Sequence, residues 1–408
     1  MTRRFRGALL LALALGGCSM APRFVRPAPP VPASWPVGDA YLQQSEATLP
    51  AVRFEDIFRD PRLQRLVTQA LAGNRDLRLA AANVAAARAQ VRVQRAQQLP
   101  TVGVTISDTR RSGDATGGAN GAVRDTFTAS VGVSAFELDL FGRLASATAA
   151  QRNAALATEA SARTVRLALI ASLASAWAEH GADSALLRIA EATADNARRA
   201  VALTSARLRG GIAPRTDLRQ AEQLLATAEA DLAAQRAAVA EDRNLIALLA
   251  GGPVDPALLP DGIAPLLSTV SPLPAGQSSE VLLRRPDVVE AEYRLRAANA
   301  NVGAARAALF PRISLTGLLG LASETLGGLF GAGAGGSTIS TLGASGTYAL
   351  FAGGGARAGV EVSEAQREAA VAGYERAIQI AFREVADALA GQGTLGDELA
   401  AVTRQAAA

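Results

Sequence analysis

Two residue types able to carry proton or thiol chemistry occur once each in this chain of 408, as His180 and Cys18. His180 stands beside Glu179 and near Asp183, a grouping that could shuttle a proton or ligate a metal. A Ser-His-Asp triad or a metal centre needs more convergent partners than this sequence places around its single imidazole. Gly331-x-Gly333-x-x-Gly336 spells a dinucleotide-binding turn, but polar Ser337-Thr338 and a strand pattern follow where a helix is required, so the run reads as a flexible loop. Trp177, at helical spacing from His180, reads as packing. The expectation is a chain that is not an enzyme and needs no cofactor or metal.

Cys18 sits in a more specific setting. Arg3, Arg4 and Arg6 form a positive stretch, Ala8 to Leu15 an apolar one too short to span a bilayer, and small residues follow. Residues 1–17 therefore read as a cleaved signal peptide. Leu15-Gly16-Gly17-Cys18 resembles the bacterial lipobox, in which the cysteine is diacylated and becomes the first mature residue. Ser19 after it, rather than Asp, fits sorting to the outer membrane, with Cys18 anchored in its lipid. The lone thiol excludes an intramolecular disulfide.

The elements behind these residues are mostly helical. Aromatic content of 4% and abundant Ala suit long, closely packed helices better than a large conventional core. The 41 basic residues, all Arg, exceed 37 acidic ones by only four and form no basic block, so no nucleic-acid partner is expected. Nothing after residue 18 has about 18 or more consecutive apolar residues, which argues against a helical membrane span.

Seven prolines between Ser19 and Pro50 make residues 18–60 an extended tether, with Trp35 and Tyr41 as possible anchors along a helical body. Pro61 opens a helical pattern that breaks at Gly73-Asn74 and stops at Pro100. The period then changes to two. Val102, Val104 and Ile106, and after a polar loop Phe127, Ala129, Val131 and Val133, alternate with small or polar residues, giving strands over ~101–109 and ~126–141. Strands of about 9–11 residues can cross an outer membrane when tilted. Glu137 and Asp139, near a strand end, read as solvated or lumen-facing.

Arg143 to Arg209 holds 67 residues without a proline. As one helix it would run about 100 Å. Its last third carries a seam, Leu187, Ala190, Ala194, Ala197, Val201, Thr204 and Leu208. After a turn at Gly210-Gly211, a returning helix over ~215–250 places Leu218, Leu225, Leu232, Val239 and Ile246 seven apart. The pair reads as an antiparallel coiled coil. Residues 251–280 form a Pro-rich linker.

Asp287 to Pro311 then matches Asp76 to Pro100 at a constant offset of 211. Strands at ~312–320 and ~341–351 flank a Gly-rich loop from Gly327 to Ser340, and a second long helix starts near Ala356. Residues 61–250 and 281–408 are thus expected to be two repeats of helix, strand, strand, long helix, with the second lacking its final hairpin tip and returning helix, as in a truncated copy. Four membrane strands leave edges that a bilayer does not tolerate, so the chain is expected to pool strands with copies of itself.

Five runs carry a resemblance: Asp60-Pro61-Arg62-Leu63, Phe136 to Arg143, Leu283-Arg284-Arg285-Pro286-Asp287, Ala300 to Ala307, and Phe382 to Leu389. Together they resemble the outer-membrane efflux lipoproteins of the TolC/OprM/NodT type. The resemblance implies a mainly α fold with a membrane β part: a tandem-repeat α-helical barrel, plus four strands per chain given to the twelve-stranded β-barrel of a homotrimer. It further implies a passive exit duct in the outer membrane with a periplasmic helical domain. Its partners would be a periplasmic adaptor and an inner-membrane transporter of the resistance-nodulation-division class. By that resemblance the tip is the gate and adaptor-docking surface, formed here by Arg207, Gly210, Gly211, Thr216 and Asp217, with Asp217 pairing to Arg across subunits. An adaptor-like or structural coiled-coil lipoprotein is the other reading, and the duplicated membrane-length strands speak against it.

Overall fold

The computed structural model describes residues 19–32, 53–111, 124–270, 279–330 and 336–408. Cys18, Trp35, Tyr41, Gly331 and Gly333 lie outside them. The helices are α1 (Phe54–Ile57), α2 (Pro61–Gly73), α3 (Arg75–Ala96), α4 (Arg143–Arg209), α5 (Arg215–Ala250), α6 (Pro286–Ala307), α7 (Leu326–Phe330) and α8 (Gly355–Ala407). The strands are β1 (Val102–Arg111), β2 (Arg124–Leu138), β3 (Arg312–Ser323) and β4 (Ser337–Thr347). By contact the chain divides into two compact units, Met1–Pro29 with Ala85–Thr158 and Val289–Ala377, and Pro30–Val84 with Glu159–Val288 and Ile378–Ala408.

In the first unit the strands form one antiparallel sheet in the order β1-β2-β3-β4. Val102 pairs with Val133, Val131 with Leu319, and Leu315 with Ala344. The ladder shifts between Val133 and Phe136, a bulge that bends β2 near its end. Val102, Val104 and Ile106 of β1 point their apolar side chains outward and stay 65–76% exposed. The sheet therefore has one unpaired edge at β1 and another at β4 among the described residues.

Several strand limits differ from the sequence expectation. β2 stops at Leu138 because Leu140 N–H turns back to the Leu138 carbonyl and Gly142 takes φ +72°. β4 lies four residues earlier than ~341–351, starting at Ser337, which pairs with Ala322. Its Ser, Thr and Gly residues look like loop, and the β3 ladder holds them extended. Tyr348 to Phe351 fall outside the strand, and Gly353 and Gly354 at φ +57° and +82° turn the chain into α8. The stretch read as a Gly-rich loop also contains α7.

The N-terminal segment 19–32 has no regular structure, and its part in this unit is held by α6. Arg26 grips the carboxylate of Glu292, 8% exposed at its side chain, with Nη2 at 2.8 Å from both oxygens. Asn299 donates to the Pro22 carbonyl at 2.8 Å, and the Arg296 guanidinium lies over the Phe24 ring. Ala21 comes so near Gly303 that an added Cβ would lie 2.6 Å from it, which explains a glycine inside α6. Among the described residues Arg26→Ala leaves Glu292 Arg296 as its one cation, and removing one partner of a buried charged bond costs about 1–3 kcal/mol. Faster protease cleavage of the 19–32 segment is the expected result.

In the second unit α2 packs Leu63, Leu66, Val67 and Ala70 against Leu169, Ile170, Leu173 and Trp177 of α4 and Ile246 of α5. Asp60 caps α2 by accepting from Arg62 N–H at 2.8 Å. Asn74 joins helix ends, accepting from Asp76 and Leu77 N–H and donating to the Leu249 carbonyl. The α4–α5 seam follows the heptads: Ala194 and Ala197 face Ala228 and Leu232 in a cluster of mostly small buried residues.

Candidate functional site

The end of the α4–α5 hairpin is a Gly-built turn. Gly211 N–H bonds the Leu208 carbonyl and Ile212 N–H the Arg207 carbonyl, closing α4 with a Schellman cap. Gly211 at φ +74° occupies the left-handed position such a cap requires. Pro214 then precedes the first residue of α5, its φ of −75° suited to that entry.

Arg207, Gly210, Gly211, Thr216 and Asp217 are all exposed. Asp217 occupies the first turn of α5, where its charge favours the helix dipole. Among the described residues Asp217 makes no ion pair. Arg209 donates to Ser205 Oγ at 3.1 Å, and Arg219 pairs with Glu222 at 2.7 Å. Arg207, Arg209, Arg215 and Arg219 thus crowd four guanidiniums around one turn, with the apolar side chain of Ile212 at 73% exposure at its apex. Nothing here suits bond-making chemistry. What the turn offers is a charged, partly apolar contact surface.

The recurrent runs of the sequence prove to be joints rather than sites. Glu137 accepts two bonds, of 2.8 and 2.7 Å, from Arg143 at the start of α4, and its side chain stays 22% exposed. Asp139 accepts from Ala145 N–H at 2.7 Å and so satisfies an unpaired donor of α4. Phe141 stacks on Phe310 with ring centroids 4.6 Å apart. Arg285 bonds both Asp287 and Glu384, so the Leu283–Asp287 run is tied to the Phe382–Leu389 run. Arg306 of the Ala300–Ala307 run pairs with Glu364 of α8 at 2.7 Å. Acidic and basic residues about 60 to 100 positions apart give no local signal of such pairing.

Trp177 belongs to the core, fully buried, its Nε1–H donating to the Leu258 carbonyl at 2.9 Å and its ring beneath the Arg62 guanidinium. The chain after Gly336 enters β4 and not a helix, so no phosphate-binding helix start stands there. Among the described residues no three His, Cys, Asp or Glu side chains gather as metal ligands, and no helix is long and apolar enough to cross a membrane.

Residues 66–252 and 278–408 match the family described as outer membrane efflux protein. The chain is 40% identical over 404 residues to the solvent efflux pump outer membrane protein SrpC of Pseudomonas putida, covering 98% of this chain and 85% of that protein. It is 40% identical over 399 residues to the outer membrane protein OprJ of Pseudomonas aeruginosa, covering 96% and 81%. The fold superposes on the open-state crystal structure of the Neisseria gonorrhoeae MtrE outer membrane channel with a TM-score of 0.77 at 34% identity, over 95% of this chain and 85% of that one. These likenesses span both the helices and the sheet, which sets aside the adaptor-like reading. The chain belongs to the outer membrane efflux protein family and serves as an outer-membrane channel for efflux, with a periplasmic helical domain.

Proposed function

We propose that three copies of this chain close a twelve-stranded barrel continued by a helical tunnel, and that the duct receives cargo at the tip formed by the α4–α5 turn. The observation that carries this is the four-stranded sheet with edges open at β1 and β4. In a bilayer those unpaired backbone groups have no water to bond, so each edge needs another strand. Three sheets of four reach a size within the range of closed membrane barrels.

The division into a signal peptide (1–17), a tether lipidated at Cys18 (18–60), two repeats (61–250 and 281–408) and a linker (251–280) is part of the same reading. It is supported by α3 and α6, each 22 residues long and displaced by 211 positions. At the tip, Gly210 and Gly211 shape the turn, Arg207, Thr216 and Asp217 form the gate, and a periplasmic adaptor docks there to join the duct to an inner-membrane transporter of the resistance-nodulation-division class. Asp217, which makes no ion pair among the described residues, is placed to meet an arginine of a neighbouring copy and hold the duct shut.

The test is single-channel conductance of the detergent-purified chain, with heat-modifiable trimers followed on gels. Asp217→Ala is expected to preserve the trimer and raise the open fraction. With about 0.2–1 kcal/mol per exposed pair and three pairs per trimer, the rise is about threefold or more. A monomer that conducts nothing overturns the duct as proposed. A conducting trimer indifferent to Asp217→Ala overturns the gate alone.

A further inference from the structure

One buried pair in the α4–α5 hairpin has no part in the duct as described. His180 is 2% and Asp242 8% exposed. His180 Nδ1 and Asp242 Oδ2 face each other at 3.8 Å, and among the described residues neither atom has a hydrogen-bond partner. A bond between such atoms would close to about 3 Å, so two desolvated polar atoms stand just apart, an arrangement that interiors avoid. The imidazole is enclosed on all sides. Gly181, next along α4, is pressed against the linker so closely that a Cβ there would lie 2.9 Å from the Gly262 carbonyl oxygen and 3.1 Å from the Leu266 side chain.

The charges around the pair are one-sided. On α4 Glu179 and Asp183 act on it, and on α5 Glu241 and Arg243 do. The linker meets it at Gly181 with a backbone carbonyl and the apolar side chains of Pro260 and Leu266, while its Asp261 acts on Arg62. Three carboxylates therefore act on Asp242, and the one guanidinium, Arg243, acts on His180. Burial, reinforced by Asp183, Glu179 and Glu241, pushes the Asp242 carboxyl up to about 6. Burial, then Arg243, lowers His180, with Asp183 opposing.

We propose that His180 and Asp242 form a proton-binding joint of the α4–α5 hairpin, tightened when the pair takes up a proton and loosened when a bare carboxylate is left among the other three. With the proton on Asp242, its O–H can donate to Nδ1 and the joint carries no charge. Without it, a buried anion stands against Glu179, Asp183 and Glu241. The sign follows from the carboxyl being held above its value in the unfolded chain. The contribution of Asp242 is complete below about pH 4 and is lost as the pH rises through about 6, while that of His180, held below its ordinary value, runs the opposite way and is lost as the pH falls. Any effect on gating rests on the role proposed for the tip, whereas the joint itself is read out by measurements that need no channel activity.

Two measurements on the detergent-purified full chain test it. Asp242→Asn keeps the shape and removes the charge, so its melting temperature should gain on wild type as the pH rises from 4.5 to 7, by several degrees, and the gain should level off above pH 7. A difference that does not change with pH overturns the joint. His180 is the only histidine, so a chain labelled with 13C-histidine gives one ring signal without assignment. In wild type that signal should titrate in two steps, one of them near pH 6 from Asp242, and in Asp242→Asn in one step. A single identical step in both chains equally overturns the proposal, even if the variant happens to be more stable.

Discussion

Trp177→Ala is expected to lower the stability of the chain by about 3–5 kcal/mol, the range for deleting a fully buried large aromatic side chain. Trp177 has no exposed surface and stands in the cluster where α2, α4 and α5 meet. Its ring also carries the Arg62 guanidinium 5.5 Å from its centroid. Its indole N–H serves the Leu258 carbonyl, so alanine leaves that acceptor unpaired as well as a cavity. Trp177→Phe keeps most of the volume and loses the donor, for which about 1–2 kcal/mol is expected. Thermal denaturation in detergent, read by circular dichroism, should rank wild type above Trp177→Phe and Trp177→Ala last. Equal melting of the two variants would mean that the Leu258 bond, and not the ring, fixes the linker against α4.

Gly251→Val should be at least as damaging, through a different cause. Gly251 ends α5 at φ +78°, where its N–H bonds the Ala247 carbonyl. For an ordinary residue the left-handed conformation costs about 1–2 kcal/mol. A Cβ at this position would also lie 2.3 Å from both the carbonyl carbon and oxygen of Gly73 and 2.7 Å from the Asn74 nitrogen. Those are backbone atoms of the α2–α3 break, and they cannot turn aside as a side chain does. The Asn74 bond to the Leu249 carbonyl must move with them. The expected outcome is a chain that fails to reach the membrane fraction as a heat-modifiable species. Gly252 is the control, since a Cβ there meets nothing within 4 Å. Gly252→Ala should assemble like wild type.

These two positions mark how far local reading reaches. Gly251 and Gly252 look alike in the chain, and the left-handed backbone of Gly251 and the approach of Gly73 separate them. Trp177 is recognisable as a packing residue from its helical spacing, yet its acceptor, Leu258, lies 81 positions away. At the candidate tip the residues themselves were legible, because two glycines and a proline between two heptad-patterned helices determine a turn through backbone preference alone. The exposure of Arg207, Thr216 and Asp217, and the absence of an ion pair for Asp217 among the described residues, came from the tertiary structure.

The sequence by itself determined what depends on neighbours along the chain. The proline-free run from Arg143 to Arg209 had to be one helix. The alternation at Val102, Val104 and Ile106 had to be a strand, and the match of Asp287–Pro311 to Asp76–Pro100 predicted a helix, α6, like α3. Helical and extended periods, proline and glycine act within a few residues, so their consequences can be read in order. The tertiary structure decided what depends on distant partners. It made Ser337–Thr347 a strand because β3 was there to pair with it, used Glu137 and Asp139 as fastenings of α4, and laid Arg26 on Glu292 across 266 positions. It also set His180 against Asp242, two residues whose spacing on separate helices carries no signal. Such pairings arise when burial removes water and leaves each polar group only the partner that packing has brought within reach.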